Sequence, residues 1–337
     1  VPARLLVTAD AAGRPLRFGV LGCAEFAWRR ALPALAAGPH STVVAVAGRD
    51  PGRAARFAGR FGAEPVHGYA PLLERADVDA VYLPLPPALH AEWVDRALLA
   101  GKHVLCEKPL APDPADAARL VASAARRGLV LAENYMFVKH GLHDAVRKLV
   151  ADGAVGDVRA VTAVFAMPPR APDDIRYQPA LGGGALGDNG GYPIRLAQSL
   201  LGPRLTVAGA SLRVDPAYGV DVGGAALLVT PDGVVAQVAF GMEHGYRCAY
   251  EVWGSRGRIV VERAFTAPPT LSPVVRLDRQ DRVEKLTLPP DDQFAAAIAA
   301  FAGAVRDGTD SGLQGDVVVR QAELVDEVRR RAVRSRA

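Results

Sequence analysis

From residue 16 to residue 135 the chain alternates short, mainly apolar runs with segments of helical period, a rhythm that few folds accommodate. Residues 16–22 form a run of the kind buried on both faces of a parallel sheet, and residues 26–37 follow with helical spacing. The runs 43–49, 78–86, 103–109 and 129–135 predict further strands, with helices over 52–61, 89–100 and 114–127. Strands joined by crossovers of this length lie parallel, and right-handed crossovers place helices on both faces. The expectation is an α/β, doubly wound parallel sheet of the Rossmann type.

The rhythm changes beyond about residue 150. Residues 225–241 read as two strands around the turn Pro231–Gly233, and residues 250–263 as two more around Gly254–Gly257. Residues 274–288 predict a third hairpin, and helices are expected near 188–201, 291–306 and 315–333. Such a region is α+β, with an open, mainly antiparallel sheet and helices on one face. With 337 residues, too many for one ordinary core, the chain is expected to divide into a loose extension (1–15), a dinucleotide-binding domain (16–140) and an α+β substrate-binding domain (141–337). The other face of the second sheet needs cover, so a homodimer or homotetramer through that sheet is expected.

Composition removes several classes of function. The 40 basic and 36 acidic residues are interspersed, for a net charge of +4, without the concentrated basic face that nucleic acid requires. A mild positive balance still suits a phosphorylated or nucleotide-linked small molecule. No run is long enough to span a membrane, and the opening VPARLLVTADAAGRP lacks the order of a secretory signal. Cys23, Cys106 and Cys248 lie far apart, form no metal-like pair, and suit a reducing cytoplasm.

After the first strand comes Gly22-Cys23-Ala24-Glu25-Phe26-Ala27, against a dinucleotide fingerprint of Gly, any, Gly, two of any, then Gly or Ala. Gly22 suits the tight turn and Ala27 permits close packing of helix on sheet, while Ala24 stands where a second Gly usually admits the pyrophosphate. A purely structural turn would read the same way. At the end of the second strand a carboxylate would hold the ribose hydroxyls of NADH, and an Arg the 2′-phosphate of NADPH. Gly48-Arg49-Asp50 places the Arg first, which favours NADPH; Asp50 keeps NADH open, and both residues also suit a solvated loop.

AGKHVLCEKPLA at 100–111, PLPPALH at 84–90 and GGGALGD at 182–188 are more specific. Together they resemble the family that includes glucose–fructose oxidoreductase and inositol dehydrogenase, the Gfo/Idh/MocA family, and the similarity runs from about residue 16 to 330. Within that family GCAEFAWRRALPAL, DIRYQ, DNGGYPIR, FGMEH and DDQFAAAIAAFA look like NADPH-dependent sugar 3-ketoreductases of dTDP-deoxysugar biosynthesis. The resemblance implies that Lys108 is the central catalytic residue and Tyr192 its acid partner, with the second domain flooring the substrate cleft. Carried over residue by residue, it adds Pro84, Leu85, His90, Glu107 and Asn134 to the cofactor side, and Arg176, Tyr177 and Asp188 to the side of a dTDP-linked keto-sugar. Tyr192 stands where His is frequent in the wider family. Asn189 replaces an expected apolar residue, and Gly190 and Gly191 suggest a mobile loop.

Reducing a ketone needs a hydride on one face and a proton at oxygen. An ammonium beside a phenol lowers its pKa and stabilises the developing alkoxide, which suits Tyr192 as proton donor and Lys108 as the stabilising charge; the reverse assignment stays open. Each residue also has an ordinary reading. Lys108 before Pro109, a candidate cis peptide, suits a solvated turn, and Tyr192 an interface. Asp188 suits a helix cap, His90 a helix start, and Glu107 either a ribose contact or a pair with Lys108. Arg176 and Tyr177 suit a diphosphate and a base; Trp28, Arg29 and Arg30 suit the nucleotide, or Trp28 the core. Two other functions stand beside the ketoreductase: an NAD(P)-dependent dehydrogenase of a free sugar, polyol or dihydrodiol, and a cofactor-sensing binding protein.

Overall fold

The computed structural model describes residues 13–309 and 311–337. Residues 1–12 of the expected extension lie outside the described residues. The first unit is built on a six-stranded parallel sheet of β1 (Leu16–Leu21), β2 (Ser41–Gly48), β3 (Glu64–His67), β4 (Ala80–Leu83), β5 (His103–Glu107) and β6 (Leu131–Asn134), in the order β3-β2-β1-β4-β5-β6. Phe18, Val20 and Leu21 of β1 are fully buried, as a central parallel strand covered on both faces requires. The helices are α1 (Glu25–Arg29), α2 (Ala31–Ala37), α3 (Pro51–Phe61), α4 (Ala70–Leu73), α5 (His90–Leu99) and α6 (Pro114–Arg127). Both α3 and α6 open with an Asp cap followed by Pro, and close on a left-handed Gly, so their bounds are set by local chemistry. The single helix expected over 26–37 is instead two, broken at Arg30. Pro33 supplies the reason: its ring cannot pass the carbonyl four residues earlier in a continuous helix.

The second unit carries α7 (Gly141–Ala151), β7 (Val158–Ala166), a π-helical turn (Leu186–Gly190) and α8 (Gly191–Leu201). These are followed by β8 (Thr206–Asp215), β9 (Val220–Val229), β10 (Val235–Gly241), β11 (Arg247–Gly254), β12 (Arg258–Glu262), β13 (Val274–Arg279) and β14 (Arg282–Thr287). The chain ends with α9 (Gln293–Asp307), α10 (Asp316–Arg331) and β15 (Ala332–Arg336). The nine strands run β14-β13-β12-β11-β7-β10-β9-β8-β15, and the three expected hairpins are present. The sheet is mixed, because β7 pairs with β10 and β15 with β8 in parallel. The π-turn and α8 pack on one face, over β7 and β10. On the other face the pairing register aligns Val283, Asp278, Arg258, Trp253, Ala160, Val235 and Val229 in one row. Trp253 there is 60% exposed.

The division of the chain differs from a simple cut near residue 140. The first unit is the segment up to Asn134 together with Phe294–Val319, and the second is Tyr135–Gln293 with Arg320–Ala337. The cause is apolar: α9 buries Phe301 completely, 5.7 Å from the ring of Phe18 on β1. The helix expected over 315–333 ends at Arg331, and residues 332–336 form the edge strand β15. Among the described residues no helix is long and apolar enough to cross a membrane.

Candidate active site

In the first unit the strand order reverses at β1, which has β2 on one side and β4 on the other, and ligands of such sheets bind at the carboxyl ends beside this point. Gly22 leaves β1 at φ +116, and a Cβ there would stand 2.8 Å from Leu85 Cδ2, so the turn needs glycine twice over. Ala24, in extended conformation, leads into α1, and Glu25 pairs with Arg56 at 2.8 Å. Phe26 is 41% exposed with its ring 5.6 Å from Phe294, while Ala27 is fully buried against the sheet. Cys23 Sγ lies 3.9 Å from the Ala47 carbonyl, and burial raises its thiol above the ordinary value.

Gly48 keeps the next turn narrow, since a Cβ would come within 3.1 Å of Cys23 Sγ. Asp50 is committed: its Oδ1 accepts the Arg53 N–H at 2.6 Å and caps α3. Arg49 is exposed beside Tyr69, whose phenol burial raises while the Arg49 charge pulls it down. Trp28 packs against Phe57 at 4.7 Å with Arg60 4.3 Å above its ring, so it serves helix packing, whereas Arg29 and Arg30 are exposed.

Beyond the switch point, Pro84 and Leu85 follow β4, Glu107 ends β5 and Lys108 follows it. His90 is fully buried, with Nδ1 2.7 Å from the Pro109 carbonyl and Nε2 2.7 Å from that of Leu85. Burial holds this imidazole below its usual pKa, although the two carbonyls pull the other way. His90 thereby ties together the two loops that border the site. Glu107 is buried and accepts hydrogen bonds from Tyr82 at 2.8 Å and Asn134 Nδ2 at 2.7 Å. Burial raises its carboxyl, opposed by those two bonds and by the Lys108 charge. Asn134 Oδ1 is buried with no partner among the described residues. Lys108 is half-buried and its peptide bond to Pro109 is cis. Nothing in the sequence singles out Tyr82, since a Tyr within an apolar strand gives no sign that its hydroxyl reaches a neighbouring strand.

In the second unit Tyr192 lies in the first turn of α8. Its ring is buried among Tyr135 (5.2 Å), Phe137 (5.7 Å), Phe165 (5.0 Å) and Phe265 (5.8 Å), and its hydroxyl lies 4.0 Å from Met136 Sδ. Asp188 does not cap α8, which has no side-chain cap; its Oδ2 accepts from Arg176 Nε at 2.5 Å. Asp174 holds the same guanidinium at 3.1 Å, and the charge of Asp188 raises the Arg176 pKa. Two carboxylates thus offset the cation expected to meet a diphosphate. Tyr177 is 5% exposed because Tyr218, half-buried, covers it at 4.4 Å. The stretch around Gly190 is a packed π-helical turn and not a loop. Asn189 within it is fully buried, and neither amide atom has a partner among the described residues.

A crossover-wound sheet with a glycine turn at its switch point, followed by a mixed sheet bearing a caged Tyr, defines an oxidoreductase architecture of two parts. Residues 16–135 match the oxidoreductase family, NAD-binding Rossmann fold, and residues 143–260 match the GFO/IDH/MocA C-terminal domain. The chain belongs to the Gfo/Idh/MocA family. It is 56% identical to a dTDP-3,4-didehydro-2,6-dideoxy-alpha-D-glucose 3-reductase of Streptomyces violaceoruber, over 95% of this chain and 96% of that one. It is 52% identical to the enzyme of the same name from Saccharopolyspora spinosa, over 94% and 97%. Among solved structures, the 3-ketoreductase KijD10 of Actinomadura kijaniata in complex with NADP and TDP-benzene superposes with a TM-score of 0.93 at 53% identity, covering 96% of this chain and 99% of that one.

Proposed function

We propose that the protein is an NADPH-dependent sugar 3-ketoreductase that reduces the C3 keto group of a dTDP-linked 3,4-diketo-2,6-dideoxyglucose. The observation that carries this reading is the identity above half, across almost the whole length, to relatives that bear that activity in their names. The chain's own residues fit the cofactor: Gly22 leaves a turn that a side chain would fill, and Asp50 is spent on its cap, leaving Arg49 exposed for a 2′-phosphate. Leu85, Pro84 and Asn134 border the same strand ends, Glu107 is held by Tyr82 and Asn134, and His90 ties the two bordering loops together. When bound, a dihydronicotinamide supplies hydride. Lys108 brings positive charge to the developing alkoxide, and the Tyr192 phenol gives the proton. The aromatic ring around Tyr192 excludes water and fixes its direction, while Arg176, Asp188 and Tyr177 shape the substrate side.

The test is absorbance of reduced nicotinamide while the dTDP-diketosugar is generated in situ. Fast oxidation of NADPH, slower of NADH, is expected, and Arg49→Ala should remove most of that preference. Tyr192→Phe and Lys108→Met should each cost roughly a hundredfold or more in kcat. No oxidation with either cofactor would end the nucleotide-sugar assignment in favour of free polyols with oxidised cofactor. We also assign the protein to the cytoplasm, in keeping with three free thiols, and the exposed face around Trp253 to a homodimer or homotetramer contact. Sedimentation of Trp253→Glu should then report a smaller species.

A further inference from the structure

The glycines at 182–184 are followed at once by the turn that leads into Tyr192, so whatever holds this loop sets where the phenol stands. We propose that Asp221 is a positioning residue for the reaction, holding the start of that turn from the neighbouring strand; the proposal rests on Tyr192 being the proton donor.

Asp221 lies on β9, and its Oδ2 accepts the Leu186 N–H at 2.6 Å. Leu186 opens the π-turn, where an N–H has no partner within the helix, and no side chain of the turn caps it. Gly184, at φ +121, passes so close that a Cβ would stand 2.6 Å from Asp221 Oδ1. Gly183 is pressed as tightly on the other side, with a Cβ position 2.5 Å from the Arg176 carbonyl. The Gly184 N–H donates to that same carbonyl at 2.9 Å. The Arg176 guanidinium then returns to Asp188 inside the π-turn. The result is a closed circuit in which Asp221 fixes the first residue of the turn, Arg176 fixes its middle, and the glycines permit both approaches. Burial raises the Asp221 carboxyl above its ordinary value, so the group bears a desolvation cost for this contact. The circuit is drawn wholly from residues of the second unit.

Asp221→Asn keeps the shape but exchanges a charged acceptor for a neutral one, and Asp221→Glu keeps the charge but moves it. We expect Asp221→Asn to lower kcat about tenfold, the scale of one charge-assisted hydrogen bond weakened, with KM for NADPH unchanged. The Leu186 amide should exchange with deuterium faster, while the midpoint of global unfolding shifts little. In the double variant with Tyr192→Phe the two losses should not multiply, because Asp221 acts through that phenol. Multiplying losses, an unchanged kcat, or a KM for NADPH that rises in step would each overturn the proposal. A fully active Tyr192→Phe would remove the assignment on which it rests, and this proposal with it. Should the wild-type protein leave the dTDP-diketosugar unreduced while Leu186 exchange still responds to Asp221→Asn, the substrate reading fails and the hold on the turn stands.

Discussion

Gly191→Ala should destabilise the protein through one atom. Gly191 has φ −57 and ψ −33, ordinary helical values, so the backbone accepts any residue and only space demands glycine. An added Cβ would stand 2.0 Å from the Tyr135 hydroxyl and 3.1 Å from its Cζ. Tyr135 is fully buried and packs edge-on against Tyr192 at 5.2 Å and Phe137 at 6.3 Å, so it cannot swing aside without disturbing the cage. A clash this close falls in the upper part of the usual overpacking range, about 2–3 kcal/mol. Alanine's better helix propensity returns about 1 kcal/mol, for a net loss of roughly 1–2 kcal/mol. In a Tyr135→Phe background the offending oxygen is gone, and the nearest remaining atoms are Cζ at 3.1 Å and Gln321 Nε2 at 3.6 Å. Tyr135→Phe also removes the 3.4 Å contact from Gln321 Nε2, whose 2.8 Å bond to the Gly191 carbonyl remains, and that cost appears in both Tyr135→Phe proteins and cancels in the cycle. There the same Gly191→Ala change should be close to neutral. Urea unfolding of the four proteins should therefore give a coupling of about 1–2 kcal/mol. Additivity within about 0.5 kcal/mol would refute the argument that the hydroxyl, and not the helix start itself, requires glycine.

Three further outcomes follow from other parts of the structure. His143 is buried between the Ala264 carbonyl (3.0 Å) and the Tyr250 hydroxyl (3.2 Å), and burial pushes its pKa down to about 3. The unfolded chain binds that proton more readily, so stability should be lost as pH falls from about 6.5 towards 3, by on the order of 3–5 kcal/mol. His143→Phe should flatten that slope in urea midpoints, and an unaltered slope would place the acid sensitivity elsewhere. Phe301→Ala should cost about 3–5 kcal/mol, measured by denaturant unfolding, because the ring is fully buried against Phe18. Asp50→Ala should cost about 1 kcal/mol of stability as a lost cap and leave the NADPH preference intact; a switch towards NADH or away from it would show that the carboxylate also touches ribose.

What could be read from the residues depended on how local the cause was. The parallel sheet was legible because strands buried on both faces write themselves as apolar runs, and the Asp-Pro starts and Gly ends of α3 and α6 punctuate them. β3, Glu64–His67, carries no such run, since it is an edge strand with three of its four residues exposed. β15 overlaps the expected helix at residues 332 and 333 and carries no strand signal of its own; only its pairing with β8 makes it a strand. In the site, Gly22, Arg49, Lys108 and Tyr192 came from motifs with fixed spacing. Tyr82, Tyr218 and Asp221 did not, because each acts across a distance set by the fold and not by the chain. For Asp188 the sequence leaves a helix cap and a substrate contact open; α8 has no side-chain cap, and the partner Arg176, twelve residues away on another turn, has no local signal.

The return of residues 294–319 to the first unit has a consequence for how the chain is born on the ribosome. The nucleotide-binding sheet is translated first, yet Phe301, which seals one side of β1, is made only after all of β7–β14. At roughly 5–20 residues per second, the early sheet waits about 10–40 s with that face open to water. A nascent chain halted before residue 294 should therefore hold its β strands loosely, expose Phe18 to proteases and chaperones, and depend on its last quarter to close its first.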